Sequence, residues 1–381
     1  MRFHHFVSNW RVRAAAAVAA ATLAIAAALP WMSTARADDA KPITVGFIYV
    51  GSRSDYGYNQ AHAEGAAVVA KMPGVKVLEA ENVPETVAVQ KTMESMIKLD
   101  GATVVFPTSY GFYDPHVLKI AAKTPEVIFF HCGGMYAKSK DAKNVGTYFG
   151  YIDECEYIAG IVAGKTSKSG KLGFIAAKPI PQVLRNINAF TLGAKSVNPA
   201  VTTTAIFTGD WFLPTKEADA TNSLADQGID VITMHVDSPK TIIENCEKRG
   251  IYSCGFHANG SALAPKGYLT GSEWNWGTLY KDYIDDIRAG KDWPHSYRGG
   301  LKDGIVKNSP YGPAVSDDTK KLADAAKDGF LKGDLVIFKG PLKDNTGKIV
   351  IEEGKSQVQT APELEGMNYL VEGVVGSPGG K

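Results

Sequence analysis

Cysteine, surplus charge and long apolar runs are all scarce in this chain, and each shortage excludes a class of protein. Four cysteines in 381 residues are too few for a scaffold built on disulfides. Their spacing also fits neither a C-x-x-C redox pair nor a zinc site. Lys and Arg number 41 against 40 Asp and Glu, a formal net charge of +1. That balance argues against a general nucleic-acid binder. Beyond the first residues no segment is apolar enough to span a bilayer, and a hydrophobic content of 45% is too high for a disordered chain. The G-x-S-x-G, H-E-x-x-H and G-x-G-x-x-G signatures are missing. Apart from His4-His5 in the leader, the eight histidines are scattered singly and suggest no metal cluster, and no cofactor is implied.

Two partial motifs fail when read in full. Gly160 to Thr166 ends in Gly-Lys-Thr like a phosphate loop, but the required earlier glycine is Ala159. The two glycines sit in a helical pattern, where small residues four apart serve close helix packing. His62-Ala63-Glu64 matches the H-x-E of zinc deaminases without the P-C-x-x-C that must accompany it. His62 reads instead as a helix residue packed near the mouth of the first half.

What is present begins with a leader. Arg2, Arg11 and Arg13 precede an Ala-rich apolar stretch from Ala14 to Leu29, and Ala35-Arg36-Ala37 forms an A-x-A cleavage site. This is the pattern of a secretory signal peptide over residues 1–37. Its removal takes away four arginines and no acid, so the net charge moves from +1 to −3. Export to the periplasm makes Cys132, Cys155, Cys246 and Cys254 candidates for two disulfides. Four cysteines allow three pairings. Cys246–Cys254, a helix end and the next strand, and Cys132–Cys155 are the favoured ones.

The remainder alternates strands and helices. Strands are expected at Ile43–Val50, Val75–Ala80, Thr103–Pro107, Val127–His131 and Val145–Tyr151, then at Leu172–Ala176, Thr202–Phe207, Val231–His235 and Ile251–Phe256. Helical stretches fall between them. Such alternation predicts an α/β fold with parallel sheets covered on both faces. A break near Ile152 predicts two doubly wound lobes. The Gly- and Pro-rich tail from Gly373 to Lys381 is expected to fray.

In open α/β sheets, ligands bind beyond the carboxyl ends of the strands. Six segments at those ends mix rings with Asp, Asn or Ser. They are Asp55-Tyr56-Gly57-Tyr58-Asn59, Ser109-Tyr110, Asp210-Trp211-Phe212, His235-Val236-Asp237-Ser238, His257-Ala258-Asn259 and Trp274-Asn275-Trp276. Taken singly, each set reads as well as helix caps and core rings. Taken together they describe one pocket, with flat faces and a few directed hydrogen bonds. A small, flat, polar heterocycle suits them better than a phosphate, because these loops lack the Lys and Arg a phosphate needs.

The same residues carry a family resemblance. Asp55-Tyr56-Gly57-Tyr58-Asn59, Thr108-Ser109-Tyr110-Gly111, Pro179-Ile180-Pro181, Asn188 to Gly193, Trp211 to Pro214, Asp237-Ser238-Pro239, Gly299 to Gly304 and Phe338 to Asp344 match the pattern. The chain resembles the basic membrane protein (BMP) family of ABC-transporter solute-binding proteins. The resemblance implies a type I periplasmic-binding fold, two Rossmann-like lobes joined by a hinge. One lobe is expected to take residues 41–150 plus about 273–298, the other 151–272 plus about 299–345, with 346–381 a C-terminal extension. It also implies a purine base or purine nucleoside as ligand, an inner-membrane ABC permease as partner, no nucleic acid, no catalysis, and a monomer. Carried over by position, Trp211 resembles the ring that stacks on the base and Asp237 the acid that hydrogen-bonds it. Asp55, Tyr56, Tyr58 and Asn59 correspond to the first-lobe wall. Ser109, Tyr110, Asn259 and Trp274 complete the expected set. Two departures stand out: relatives carry Asp at the place of Asn259, and often Trp at the place of Tyr58. A secreted hydrolase or deaminase acting on purines, and a ligand sensor without a transporter, are the competing readings.

Overall fold

The computed structural model describes residues 42–137 and 142–379, so the leader and its cleavage motif lie outside the described residues. The first half builds strands β1 (Ile43–Ile48), β2 (Val75–Ala80), β3 (Val104–Pro107), β4 (Ile128–Cys132) and β5 (Val145–Gly150). Helices α1 (Tyr58–Val69), α2 (Val87–Lys98) and α3 (Leu118–Ala121) lie between them. The second half contributes α4 (Asp153–Thr166), β6 (Lys171–Ala176), α5 (Pro181–Val197), β7 (Thr202–Phe207), α6 (Pro214–Asp226), β8 (Val231–His235), α7 (Lys240–Arg249), β9 (Tyr252–His257) and β10 (Tyr268–Trp274). Then come α8 (Trp276–Arg288), β11 (Ser296–Gly299), β12 (Val306–Asn308) and α9 (Asp317–Lys332). Short strands β13 (Phe338–Lys339), β14 (Leu342–Lys343), β15 (Ile349–Ile351) and β16 (Ser356–Gln357) precede α10 (Pro362–Glu365) and β17 (Val374–Val375).

Two sheets result. The first runs β11-β5-β4-β3-β1-β2 and is parallel throughout. The second runs β12-β10-β9-β8-β6-β7-β17, with only β12 antiparallel. Their central strands read as apolar runs because helices cover both faces; every residue of β3 and β8 is buried. In each sheet the order reverses beside the first strand, β1 against β3 and β6 against β8. That reversal opens the crevice where such sheets bind ligands.

The chain passes between the sheets three times, after β5, after β10 and after β11. The crossings are laced together: Tyr151 N donates to Gly299 O at 2.7 Å and Asn275 N to Ile305 O at 2.8 Å. The sequence pattern stopped at β9, so β10, β11 and β12 are additions from the structure. β10 interrupts its apolar residues with Thr-Gly-Ser-Glu, and β12 has three residues; neither shows a β-branched run.

Helices α4 and α5 pack at backbone distance. A Cβ on Gly160 would lie 2.0 Å from Phe190 O, and one on Gly193 1.9 Å from Tyr157 O. The small residues of the false phosphate loop are thus packing surfaces.

Two expectations are corrected. The tail does not fray from Gly373: Thr203 N donates to Gly373 O at 2.9 Å, and β17 closes the open edge of β7. The segment before it is equally fastened. Leu364, Met367, Leu370 and Val371 are buried, and the buried Asn188 bonds the backbone of Val371 and Tyr369. The four cysteines are free, buried thiols, not two disulfides. Cys132 closes β4 of the first sheet beside the hydroxyls of Tyr58 and Tyr148, whereas Cys155 lies within α4. Cys246 and Cys254 are close neighbours, but the Cys254 thiol turns to Ala159 O at 3.9 Å. Burial pushes the thiols of Cys132 and Cys246 up to about 12, so they behave as small apolar side chains.

Candidate functional site

A cavity of about 460 Å³ opens where the carboxyl ends of the two sheets meet. Small-ligand sites span roughly 300–1,000 Å³. The lobes touch at its side. Asp55 accepts from the amides of Gly57, Asn59 and Gln60 at 2.8–3.0 Å and so caps α1. The cap presents Tyr58 N to Asp237 O of the other lobe at 2.9 Å, and Ser238 Oγ donates to Asp55 O at 2.6 Å. Gly57 is required here, since a Cβ would stand 2.0 Å from Asp237 O.

Tyr58 then projects from the first turn of α1 into the cavity wall, its hydroxyl donating to Thr108 O at 2.6 Å. Ser109 Oγ and Gly111 N both donate to Glu85, which fixes the loop after β3. Tyr110 stands at the rim, 66% exposed. Phe149, at the end of β5, meets Trp274 edge to face at 5.2 Å.

The second lobe supplies Trp211, Asp237 and Trp274, together with His235 and His257, the last residues of β8 and β9. Trp211 is half-buried; Lys178 Nζ lies 5.6 Å from its ring centroid and pairs with Asp210 at 2.8 Å. Burial holds the Asp237 carboxyl well above the usual carboxylate range, with Asp55, Glu85, Asp210 and Glu217 adding to the rise. Burial lowers His235 to about 3 and holds His257 well below the ordinary imidazole range. Both rings are therefore neutral at physiological pH. Arg185, also in the wall, is spent on a buried ion pair with Asp153 at 2.9 Å. The lining thus combines aromatic planes with neutral donors and acceptors, and of its three cations Lys178 and Arg185 are paired with carboxylates while Arg298 lies 6.0 Å from the Phe149 ring centroid.

Of the ten residues the sequence put forward, the structure brings Tyr58, Ser109, Tyr110, Trp211, Asp237 and Trp274 together around the cavity. The other four lie elsewhere. Asp55 is the cap just described. Asn59 is buried behind it, its Oδ1 accepting from Gly51 N at 3.2 Å. Tyr56, at φ 59°, sits beneath Lys240, and Asn259 is exposed and caps a turn onto Ser261 N at 3.0 Å. Phe212, next to Trp211, is 58% exposed.

The sequence placed His235 and His257 in strand-end segments without putting them forward as ligand residues, and it missed Asn186, Phe149, Leu364 and Glu365, all in the wall. The two histidines did carry a signal, since each ends a strand. Leu364 and Glu365 carried none: they come from the C-terminal segment, 66 residues after β11 by number, through tertiary packing alone.

Comparison with known proteins adds to this geometry. Residues 43–356 match the family model Bmp, described as ABC transporter substrate-binding protein, PnrA-like. A purine-binding protein of Brucella abortus is 36% identical over 355 residues, covering 92% of this chain and 98% of that protein. A Haloferax volcanii protein named for glucose binding in an ABC transporter is 28% identical over 302 residues, 79% of this chain and 75% of its own. The solved structure of an ABC transporter solute-binding protein from Aeropyrum pernix shares the fold, with a TM-score of 0.66 at 20% identity over 80% of this chain and 93% of that one.

Proposed function

Because the chain belongs to the Bmp family of PnrA-like ABC transporter substrate-binding proteins, we propose that its cleft captures a purine base or purine nucleoside. A substrate-binding protein of this family serves a small-molecule ligand and a membrane permease, and acts outside the cytoplasm. The finer reading is that the mature protein begins near Asp38, works in the periplasm, and carries its ligand without turning it over.

One observation carries the choice of ligand: the cavity wall joins Tyr58, Phe149, Trp211 and Trp274 to the neutral rings of His235 and His257 and the protonation-prone Asp237. A purine is flat and uncharged at neutral pH and carries both donors and acceptors on its edge. Stacking on an aromatic ring contributes ~1–3 kcal/mol per base. Asp237 then discriminates along the edge of the base. Because groups from both lobes touch one ligand, binding favours the closed arrangement through the laced crossings. The permease reads that closed form.

The test is mass spectrometry of the small molecules that co-purify with the exported protein, then calorimetry with bases, nucleosides and glucose. Purine binding without product formation supports the proposal. A bound sugar, or release of a hydrolysed or deaminated purine, overturns it. N-terminal sequencing of the exported form checks cleavage after Ala37; retention of Met1 defeats that part.

A further inference from the structure

The C-terminal segment reaches the cavity from beyond the family match, which ends at residue 356. It is fastened by Arg185 and Asn188, which share one face of α5. Asn188 Nδ2 donates to Tyr369 O at 2.9 Å, and Val371 N donates to Asn188 Oδ1 at 2.8 Å. Arg185 Nη2 donates to the Gln359 side chain and, at 3.4 Å, to Gln359 O. The fully buried Leu364 then anchors α10 in the cavity wall, with Glu365 beside it.

The guanidinium of Arg185, a residue only 5% exposed, is fixed on several sides. Nε donates to Asp153 Oδ2 at 2.9 Å, Gln359 takes Nη2, and Cζ lies over the Tyr151 ring at 5.2 Å from its centroid. The Asp153 pair therefore balances the charge but uses one donor nitrogen. Nη1 makes no hydrogen bond among the described residues, and it is not sealed off. It faces Glu365 Oε1 at 4.0 Å, beyond hydrogen-bond reach. The Glu365 side chain is 44% exposed, so its oxygens are open as well. A fixed donor and an acceptor thus stand side by side in the cavity wall, too far apart to satisfy each other. The edge of a planar heterocycle that carries one acceptor next to one N–H satisfies both: the acceptor takes the Nη1 proton, and the N–H donates to the carboxylate.

We propose that Arg185 and Glu365 are specificity-determining residues that read an adjacent donor and acceptor on the edge of the bound base, the N–H and C=O of a lactam or the amino group and ring nitrogen of an amidine. Asp153 and Gln359 are positioning residues for the guanidinium. The inference rests on the purine reading and narrows it: hypoxanthine or adenine, which carry such an edge, bind in preference to purines whose edge lacks the donor.

Calorimetry on the mature protein compares each base with an analogue from which that donor is removed, hypoxanthine with 1-methylhypoxanthine and adenine with unsubstituted purine. The tighter-binding base is expected to exceed its analogue by about tenfold or more. Glu365→Ala changes an exposed side chain and should melt like wild type. It should bring base and analogue within about threefold of each other, because the acceptor that the donor served is gone. Arg185→Lys keeps a charge beside Asp153 without the planar fork, and should weaken the base by about tenfold or more. Equal affinity of wild type for base and analogue overturns the proposal, whether or not a variant folds. So does a Glu365→Ala protein that keeps the discrimination. A wild type that binds no purine but does bind another solute removes the purine reading instead, and this inference with it.

Discussion

Replacing Trp211 by Ala separates a ligand-stacking ring from a structural one, and the structure supplies both halves of the expectation. The side chain is half-buried in the cavity wall, with Lys178 at 5.6 Å and His235 at 6.0 Å between centroids. The bonds that order this loop are backbone bonds: Asp237 N donates to Trp211 O at 2.8 Å, and Trp211 N to Asp210 Oδ1 at 2.9 Å. Both survive truncation. What folding loses is partial packing and an exposed cation–π contact, of order ~1 kcal/mol. A chain of this size should then melt no more than about 4 °C lower. Binding loses a stacked face, ~1–3 kcal/mol, or roughly five- to a hundredfold in Kd. Trp276 is the control. It is fully buried between His62 and Trp274, stacked at 5.5 and 4.6 Å, and outside the cavity wall. Trp276→Ala should cost about 3–5 kcal/mol of stability. Calorimetric titration with the co-purifying ligand and thermal melting on the same samples read both quantities. A Trp211→Ala protein that keeps its affinity and melts far lower would refute the reasoning, because the ring would then be core.

Other expectations follow from single groups. Asp237→Asn should keep more of the purine affinity than Asp237→Ala, which should lose about tenfold or more, since burial shifts the carboxyl towards its neutral form; equal losses in titration would count against that shift. Glu156 is fully buried in α4, and burial lifts it from 4.5 to about 8. Below the unfolded value both states are protonated, and as pH rises towards 8 only the unfolded chain ionises, so stability falls by up to about 5 kcal/mol. Glu156→Gln should remove that slope, and denaturant melts at pH ~5 and ~8.5 that stay parallel with wild type would contradict it. Gly193→Ala must separate α4 from α5 at the Tyr157 carbonyl and should cost at least ~1–3 kcal/mol in the same melts. Alkylation of the denatured, unreduced protein should label all four cysteines; two or none labelled would restore one or both disulfides.

Much of this protein was legible in the chain itself. Apolar β-branched runs separated by amphipathic stretches require buried parallel strands with helices on both faces, whatever the details of packing. Parallel sheets of that kind open their crevices at the carboxyl ends, which is why six of the ten candidate residues line the cavity: Tyr58, Ser109, Tyr110, Trp211, Asp237 and Trp274. The alternation also ruled out the false phosphate loop, because glycines at Gly160 and Gly164 follow a helical period.

Only the tertiary structure decided the rest. Asp55 and Tyr58 stand three residues apart in one polar, aromatic segment; the start of α1 turns the first into a cap and the second into a wall. Nothing local distinguishes an Asp that caps from one that binds, since both need an exposed oxygen at a strand end. The thiols fell the same way: proximity along the chain says nothing about which way a buried side chain turns, and the Cys254 thiol turns to Ala159 O. The tail became the edge partner of β7 because an open sheet edge is satisfied by whatever strand packing brings to it. His257 is held by an indole 17 residues away, the Trp274 Nε1 donating to its Nδ1 at 2.8 Å. Local pattern fixes which elements form and which end of them is exposed; the choice among chemically similar residues at that end belongs to long-range contacts.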